Sequence, residues 1–219
     1  MSINRRRDLV LIALAVMITM PTLAEAPVGA IEFIRKNPGY RHAIESTVQG
    51  YESSLRTRCA NVELDWDSTK VHVALQPTLD AQGHIENSVW VETVPGSACG
   101  QHRQYNAVVV FHHGQSSVLP SYPGESESNP ILQQDTISYL RSALMIKGVL
   151  PKGCHIDVLE TQLPNGRPQQ RSPWSERWRV DACGKQYWTK VDYVPHATGT
   201  TGTTGTTINV SPKDITSAK

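Results

Sequence analysis

A repeat that contains a cysteine constrains the fold of this chain more than any other feature of its sequence. The segment Trp90–Gly100 (WVETVPGSACG) aligns with Trp174–Gly184 (WSERWRVDACG) at an offset of 84 residues, and Trp, Glu, Ala, Cys and Gly coincide. Each segment continues into a second run of aromatic and β-branched residues, which favours a strand on both sides of Ala-Cys-Gly. The repeat therefore predicts a duplicated module in which this cysteine lies at or near a hairpin turn.

Each copy of the repeat follows a predicted helix and a further cysteine. Asn37-Pro38 and Asn129-Pro130 place a capping residue before a proline at the first helical position. Apolar residues then recur at helical spacing, at Tyr40, Ile44, Val48, Tyr51 and Leu55 and again at Ile137, Leu140 and Leu144. After Cys59 and Cys154 the apolar period changes to two, as in half-buried strands. We expect an α+β fold of two duplicated modules, each a helix followed by three or four antiparallel strands.

The duplication also selects a pairing for the four cysteines. Four cysteines allow three connectivities, and only Cys59–Cys99 together with Cys154–Cys183 gives each module its own disulfide. Each bond would tie the start of a first strand to its hairpin. In the chain-entropy model such a bond stabilises the fold by roughly 3–4 kcal/mol.

The N-terminus has the pattern of a secretory signal peptide. Arg5–Arg7 precede twelve uncharged residues, Leu9–Met20, and small residues follow around Ala24, so we predict a signal peptide at residues 1–24. A membrane anchor is the alternative, but twelve helical residues rise only about 18 Å, against a hydrocarbon core of roughly 30 Å. We expect no stable membrane anchor after cleavage and a periplasmic or secreted protein, where disulfides form.

The remaining chain divides at changes of composition. We assign residues 25–111 to a first module and 130–219 to a second, separated by a linker or exposed loop at 112–129 that is rich in Ser, Pro and Gly. The TGTTGTTGTT repeat at 198–207 predicts a flexible loop, because it offers no side chains from which a core can be built.

A resemblance to known proteins begins at the second copy of the repeat. The run Trp174–Gly184, the strand that follows it to Pro195 and the Gly/Thr-rich loop resemble a pattern in small exported bacterial proteins of uncharacterised function that contain disulfides. The resemblance covers about forty residues of the second module, and the first module less closely. It implies export and a disulfide-linked sheet, and it carries over no activity and no site residue.

The sequence has no established pattern for catalysis or for a cofactor. It lacks a Gly-x-Ser-x-Gly elbow, a phosphate-binding glycine loop and a Cys-x-x-Cys pair. The adjacent pair His112-His113 has no acidic residue at ligand spacing, so we favour a solvated strand end over a metal site. Without residues 1–24 the net charge is −1 and no basic run remains, which argues against nucleic acid as a partner.

Two glutamates are the candidate site residues. At strand spacing Glu92 shares a face with Trp90, and Glu176 shares one with Trp174 and Trp178. A carboxylate on an apolar face either acts as an acid or ligand anchor, or accepts structural hydrogen bonds or pairs with an arginine across the sheet. We favour the structural role.

These patterns favour a non-enzymatic binding or interaction module of the bacterial envelope, with an envelope or extracellular protein as its partner. Two alternatives stay open. One is an inhibitor-like protein, because one helix against an antiparallel sheet resembles a cystatin-like unit. The other is a hydrolase with its site between the modules and Glu92 or Glu176 as acid or base. A polar cleft between the modules would favour the enzyme, and an exposed apolar patch would favour binding.

Overall fold

The computed structural model describes residues 26–82, 84–169, 172–198 and 203–218, which form an α+β fold with two antiparallel sheets. The predicted signal peptide at residues 1–24 lies outside the described residues. Within the described part of the chain, no helix is both long and apolar enough to cross a membrane.

The described residues form three α-helices: α1 (Ala26–Arg35), α2 (Pro38–Ser54) and α3 (Pro130–Ile146). The two Asn-Pro signals begin α2 and α3 as the sequence predicts. The side chain of Asn37 accepts a hydrogen bond from a first-turn N–H of α2 at 2.8 Å, and that of Asn129 accepts one from α3 at 2.9 Å. Because proline follows each cap, the helix loses no N–H that it could have paired.

The first sheet contains β1 (Val62–Leu64), β2 (Lys70–Leu79), β3 (Ile85–Ala98), β4 (Gln101–His112) and β5 (Gln115–Ser121). It is four strands wide, in the order β2, β3, β4, β5, because β1 and β2 share one edge of β3. The inner face of β3 and β4 packs on α2. The core there contains Tyr40, Ile44, Val48, Trp90, Val94, Tyr105 and Val109.

The second sheet contains β6 (Ile156–Gln162), β7 (Trp174–Ala182), β8 (Lys185–Thr198), β9 (Thr203–Val210) and β10 (Thr216–Ser217). It is also four strands wide, in the order β6, β7, β8, β9, with β10 beside β9 on the same edge of β8. Its inner face packs on α3. The core there contains Leu140, Leu144, Val158, Trp178, Val180, Val191 and Tyr193.

Both cysteine-containing repeats form two-residue hairpin turns. Cys99 and Gly100 have φ values of +49° and +75°, and Cys183 and Gly184 have +55° and +84°. Two successive left-handed residues match the right-handed twist of the flanking strands. The predicted disulfide pairing is confirmed: Cys59–Cys99 and Cys154–Cys183 close loops of 40 and 29 residues.

The segment expected to be a linker or exposed loop, 112–129, contains the strand β5. Its turn residues His113 and Gly114 lie in the left-handed region, and β5 pairs with β4 along its whole length. The Ser, Pro and Gly composition did not indicate a strand. In the predicted flexible loop at 198–207, β8 and β9 pair as far as Thr198 and Thr203, and residues 199–202 lie outside the described residues.

A short segment after β5 joins the two sheets. The N–H of Gly124 donates to the carbonyl of Gln104 in β4 at 2.7 Å, and Thr161 of β6 exchanges two hydrogen bonds of 2.7 Å with Pro123 and Glu125. Gly124 has φ +101°, and a Cβ there would lie 2.0 Å from the carbonyl oxygen of Thr161. Only glycine fits at this junction, so the position of the second sheet against the first depends on it.

Candidate functional site

Glu176 is fully buried on the inner face of the second sheet. Its carboxylate accepts hydrogen bonds from six groups: Ser126 Oγ, the N–H groups of Glu127 and Ser128, Ser128 Oγ, Trp174 Nε1 and Trp178 Nε1. Their lengths run from 2.8 to 3.2 Å. Among the described residues no cation pairs with it, so neutral donors alone hold the charge.

Local structure explains how these donors converge. Trp174 and Trp178 lie two residues on either side of Glu176 in β7, so all three side chains point to the same face of the sheet. The other donors lie in residues 126–128, directly before the cap residue Asn129 of α3. The network therefore fixes the start of α3 on the second sheet.

Glu92 is fully buried on the inner face of the first sheet, but its partners differ. Arg35 at the end of α1 donates to one oxygen from Nε at 2.9 Å and from a terminal nitrogen at 2.8 Å. The hydroxyl of Tyr40 in α2 donates to the other oxygen at 2.6 Å, and Tyr40 accepts from Trp90 Nε1 at 3.0 Å. Burial, together with the adjacent carboxylate, raises the pKa of Tyr40 above its usual range.

The candidate site residues therefore form two separate clusters, one in each sheet. Trp174 and Trp178 bond directly to Glu176, whereas Trp90 reaches Glu92 through the hydroxyl of Tyr40. Each carboxylate has both oxygens occupied by donors and has no exposed surface. This geometry is that of a structural acceptor, which binds the segment before a helix to the sheet below it.

Sequence reasoning missed a third buried carboxylate, Glu52 in α2. Tyr105 donates its hydroxyl to Glu52 at 2.9 Å, and Arg103 Nε lies 3.3 Å from the same oxygen. Burial and the hydrogen bond to Glu52 raise the pKa of Tyr105 above its usual range. Glu52 lies four residues after Val48 on the buried helical face, so helical spacing alone could have located it.

A different feature distinguishes the outer face of the first sheet, which we call the first outer face. The strand register brings six aliphatic side chains together at its centre: Leu75, Val89, Val91, Val108, Val110 and Leu119. All are at least partly accessible, with Leu75 50% and Leu119 42% exposed. No described helix or strand covers them.

A polar border surrounds this aliphatic centre. The register places ten further residues there: Lys70, His72, Thr78, Asn87, Thr93, Asn106, His112, Gln115, Ser117 and Ser121. One is a lysine, two are histidines and none is a carboxylate. At one end, Arg167 and residues 124–129, which include Glu125 and Glu127, rise beside the sheet and complete a groove of about 440 Å³.

The outer face of the second sheet, the second outer face, has the opposite character. Arg177 lies over the ring of Trp188 at 4.3 Å, an arrangement that covers the one large aromatic side chain of this face. Arg179 pairs with Glu160 at 3.0 Å, and a further ion pair joins Lys190 and Asp192. Charges of alternating sign are typical of a solvated sheet face.

A polar groove of about 560 Å³ lies between the two sheets, lined in part by Arg103, Glu160, Thr161 and Arg179. Neither Glu92 nor Glu176 lies in it. Its acidic lining residues are Glu125, which is exposed, and Glu160, which pairs with Arg179 at 3.0 Å. The groove therefore holds neither of the two glutamates that the hydrolase hypothesis assigns as acid or base.

No group of three or more potential metal ligands occurs among the described residues. The rings of His112 and His113 lie 4.1 Å apart and are tilted by 56°, and each lies beside a side chain of β3, Asn87 and Glu86 respectively. Comparisons with models of protein families, with curated proteins and with solved structures find no match to this chain.

Proposed function

We propose that this protein is a non-enzymatic binding module of the cell envelope, and that its first outer face docks another exported protein. The observation that carries the proposal is an aliphatic centre on an open sheet face, whose border on the strands consists of polar residues that include no carboxylate. The partner would present an apolar surface with acidic residues that face the strand border.

The apolar centre supports binding because aliphatic surface is more stable when it is buried in a complex than when it is exposed to water. Burying aliphatic surface stabilises a complex by about 25 cal/mol per Å², and exposed apolar patches with a polar rim mark interaction sites on soluble proteins. Val89, Val91, Val108 and Val110 lie opposite one another on β3 and β4. Their β-branched side chains are stiff, so little rotamer entropy is lost on docking.

The charge of the border differs between its strands and its groove end. The ten border residues on the strands include no carboxylate, and Lys70, His72 and His112 supply the ionisable groups there. At the groove end Glu127 pairs with Arg167, and Glu125 is the other acidic lining residue. Acidic groups of a partner would therefore face the strand border rather than the groove end.

We also infer that the two sheets arose by duplication, with one copy specialised for docking. The first strand residue after each first cysteine pairs with the alanine before the second cysteine, Val62 (three positions after Cys59) with Ala98 and Ile156 (two positions after Cys154) with Ala182. Strand order, the two-residue Cys-Gly turn and the disulfide also correspond. In each copy a buried glutamate holds the segment that precedes a helix.

Export of this protein would place its partner in the same compartment, outside the cytoplasm. Two disulfides are typical of proteins that fold in an oxidising compartment, and the signal pattern at residues 1–24 directs the chain there. We therefore place the protein and its partner in the periplasm or outside the cell.

The two alternatives differ in what they would require. A hydrolase with Glu92 or Glu176 as acid or base has no support from these carboxylates, because their oxygens are buried and already bonded. The protein would be an inhibitor if the captured partner were an enzyme. Identifying the partner therefore distinguishes an inhibitor from other binding proteins.

The test is affinity capture from native envelope extract followed by calorimetry with the purified partner. Val91→Glu adds a carboxylate at the centre of the first outer face. Thr207→Glu adds one on an exposed position of β9 and serves as the matched control. We expect one partner to bind the wild type and Thr207→Glu equally, and Val91→Glu at least tenfold more weakly, with all melting temperatures similar. Equal binding by both variants, or no partner at all, would contradict the proposal.

A further inference from the structure

A pocket of about 430 Å³ lies on another part of the surface, where the first helix–sheet unit meets the hairpin of the second. It is lined by Arg56 and Arg58, which follow α2, by His155 and Asp157 at the start of β6, and by Ser54, Leu55 and Cys183. The pocket does not border the first outer face. Three of its seven lining residues carry basic side chains.

The acidic residue in this pocket, Asp157, already has a partner for each of its two oxygens. Asp157 is buried, accepts the backbone N–H of Arg56 on one oxygen at 2.9 Å, and lies 3.1 Å from His155 Nε2 on the other. Asp157 therefore fixes the loop after α2 against β6. Among the described residues neither guanidinium has a carboxylate within ion-pair distance, since the pairs of this fold involve other side chains.

Both arginines are exposed, and the chain places them in the lining of this pocket. Arg56 lies across the second hairpin, where a Cβ on Gly184 would be 2.9 Å from its terminal nitrogen. Arg58 has φ +28°, a left-handed conformation that is uncommon for a residue with a long side chain. The ends of both modules thus bring two guanidinium groups and one imidazole to a single pocket.

We propose that this pocket binds an oxyanion of the phosphate type, carried either by free phosphate or by a lipid headgroup. Guanidinium groups donate paired hydrogen bonds whose geometry fits tetrahedral oxyanions. With one carboxylate against two arginines and a histidine, the pocket keeps an excess of positive charge. Sequence patterns do not indicate this site, because only Arg56 and Arg58 lie close together in the chain and His155, its third basic residue, is far from them in sequence.

The test uses the full mature chain and two probes. Inorganic phosphate is titrated at constant ionic strength while the NMR signals of the loop after α2 and of the Cys-Gly turn are followed. Vesicles of anionic phospholipid are then compared with vesicles of neutral phospholipid by co-sedimentation. The variants are Arg56→Gln and Arg58→Gln. The control is Arg41→Gln, which removes the same charge. Arg41 is an exposed arginine that lies over Trp66, away from the pocket.

We expect saturable phosphate binding by the wild type and Arg41→Gln, weakened at least fivefold in Arg56→Gln and in Arg58→Gln. Sedimentation with anionic vesicles that both pocket variants lose would identify a headgroup as the source, and binding of phosphate without vesicles would identify the free ion. Absence of saturable binding to either probe, or equal binding by all variants, would overturn the proposal. Because the pocket lies away from the first outer face, this result is independent of the partner-binding test.

Discussion

Replacing Glu176 tests whether its carboxylate is a structural acceptor. Glu176→Ala removes the acceptor for two indole and two backbone N–H groups. The serine hydroxyls can rotate towards other acceptors, and Trp174 is half-buried and can reach water. The N–H of Ser128 keeps its hydrogen bond to Ser126 Oγ at 3.0 Å, whereas the buried indole of Trp178 would stay unpaired.

The expected cost follows from those buried donors. An unpaired buried donor costs about 1–3 kcal/mol, so the indole of Trp178, the half-buried N–H of Glu127 and the lost side-chain packing together amount to about 3–5 kcal/mol. Domains of this size have total stabilities of about 5–15 kcal/mol. With a shift of about 2–4 °C per kcal/mol for a chain of this length, the melting temperature should fall by roughly 6–20 °C.

Two further variants make the comparison specific. Glu176→Gln keeps one oxygen but turns an amide N–H₂ towards the indole N–H of Trp178, so we expect a loss of about 1–3 kcal/mol. Glu92→Ala should cost less than Glu176→Ala, because Arg35 retains its pair with Glu32 at 2.6 Å and Tyr40 still accepts from Trp90. Calorimetric unfolding of the three variants provides the measurement. If either alanine variant melts above the wild type, the carboxylate is a strained functional group and the reasoning is wrong.

Three other predictions concern the disulfide, the junction and the tyrosines. Serine at both cysteines of the second disulfide should lower the free energy of unfolding in urea by roughly 3–4 kcal/mol. Gly124→Ala should cost more than 2 kcal/mol because of its left-handed backbone and the nearby carbonyl, whereas Gly50→Ala, in open space within α2, should stabilise the protein by about 0.5–1 kcal/mol. Burial raises the pKa of Tyr51 and Tyr193, so stability should be intact below pH 10 and fall above it, with phenolate absorbance rising together with unfolding.

The local features of the fold were predictable from short sequence signals. Asn37-Pro38 and Asn129-Pro130 locate two helix starts, because each signal acts within one helical turn. The pairing of the cysteines followed from the spacing of the repeat, since equivalent residues occupy equivalent places in two similar sheets. These inferences needed no knowledge of contacts between distant parts of the chain.

The remaining features depend on contacts that no local pattern encodes. The strand β5 is rich in serine and gains its strand conformation by pairing with β4. The donors to Glu176 at residues 126–128 are some fifty positions away in sequence. The apolar run Ala107–Phe111 is of the kind found in strands buried on both faces, yet no described helix or strand covers one of its faces.

The most direct test of the central claim is site-specific photo-cross-linking in the living cell. A photoreactive amino acid would replace Val91 at the centre of the first outer face or, as the control, Arg177 on the second outer face. We predict one discrete adduct with an exported protein from position 91, lost when Val108→Glu is added, and no discrete adduct from position 177. An adduct from position 177 with none from position 91 would contradict the claim that the first outer face is the docking surface.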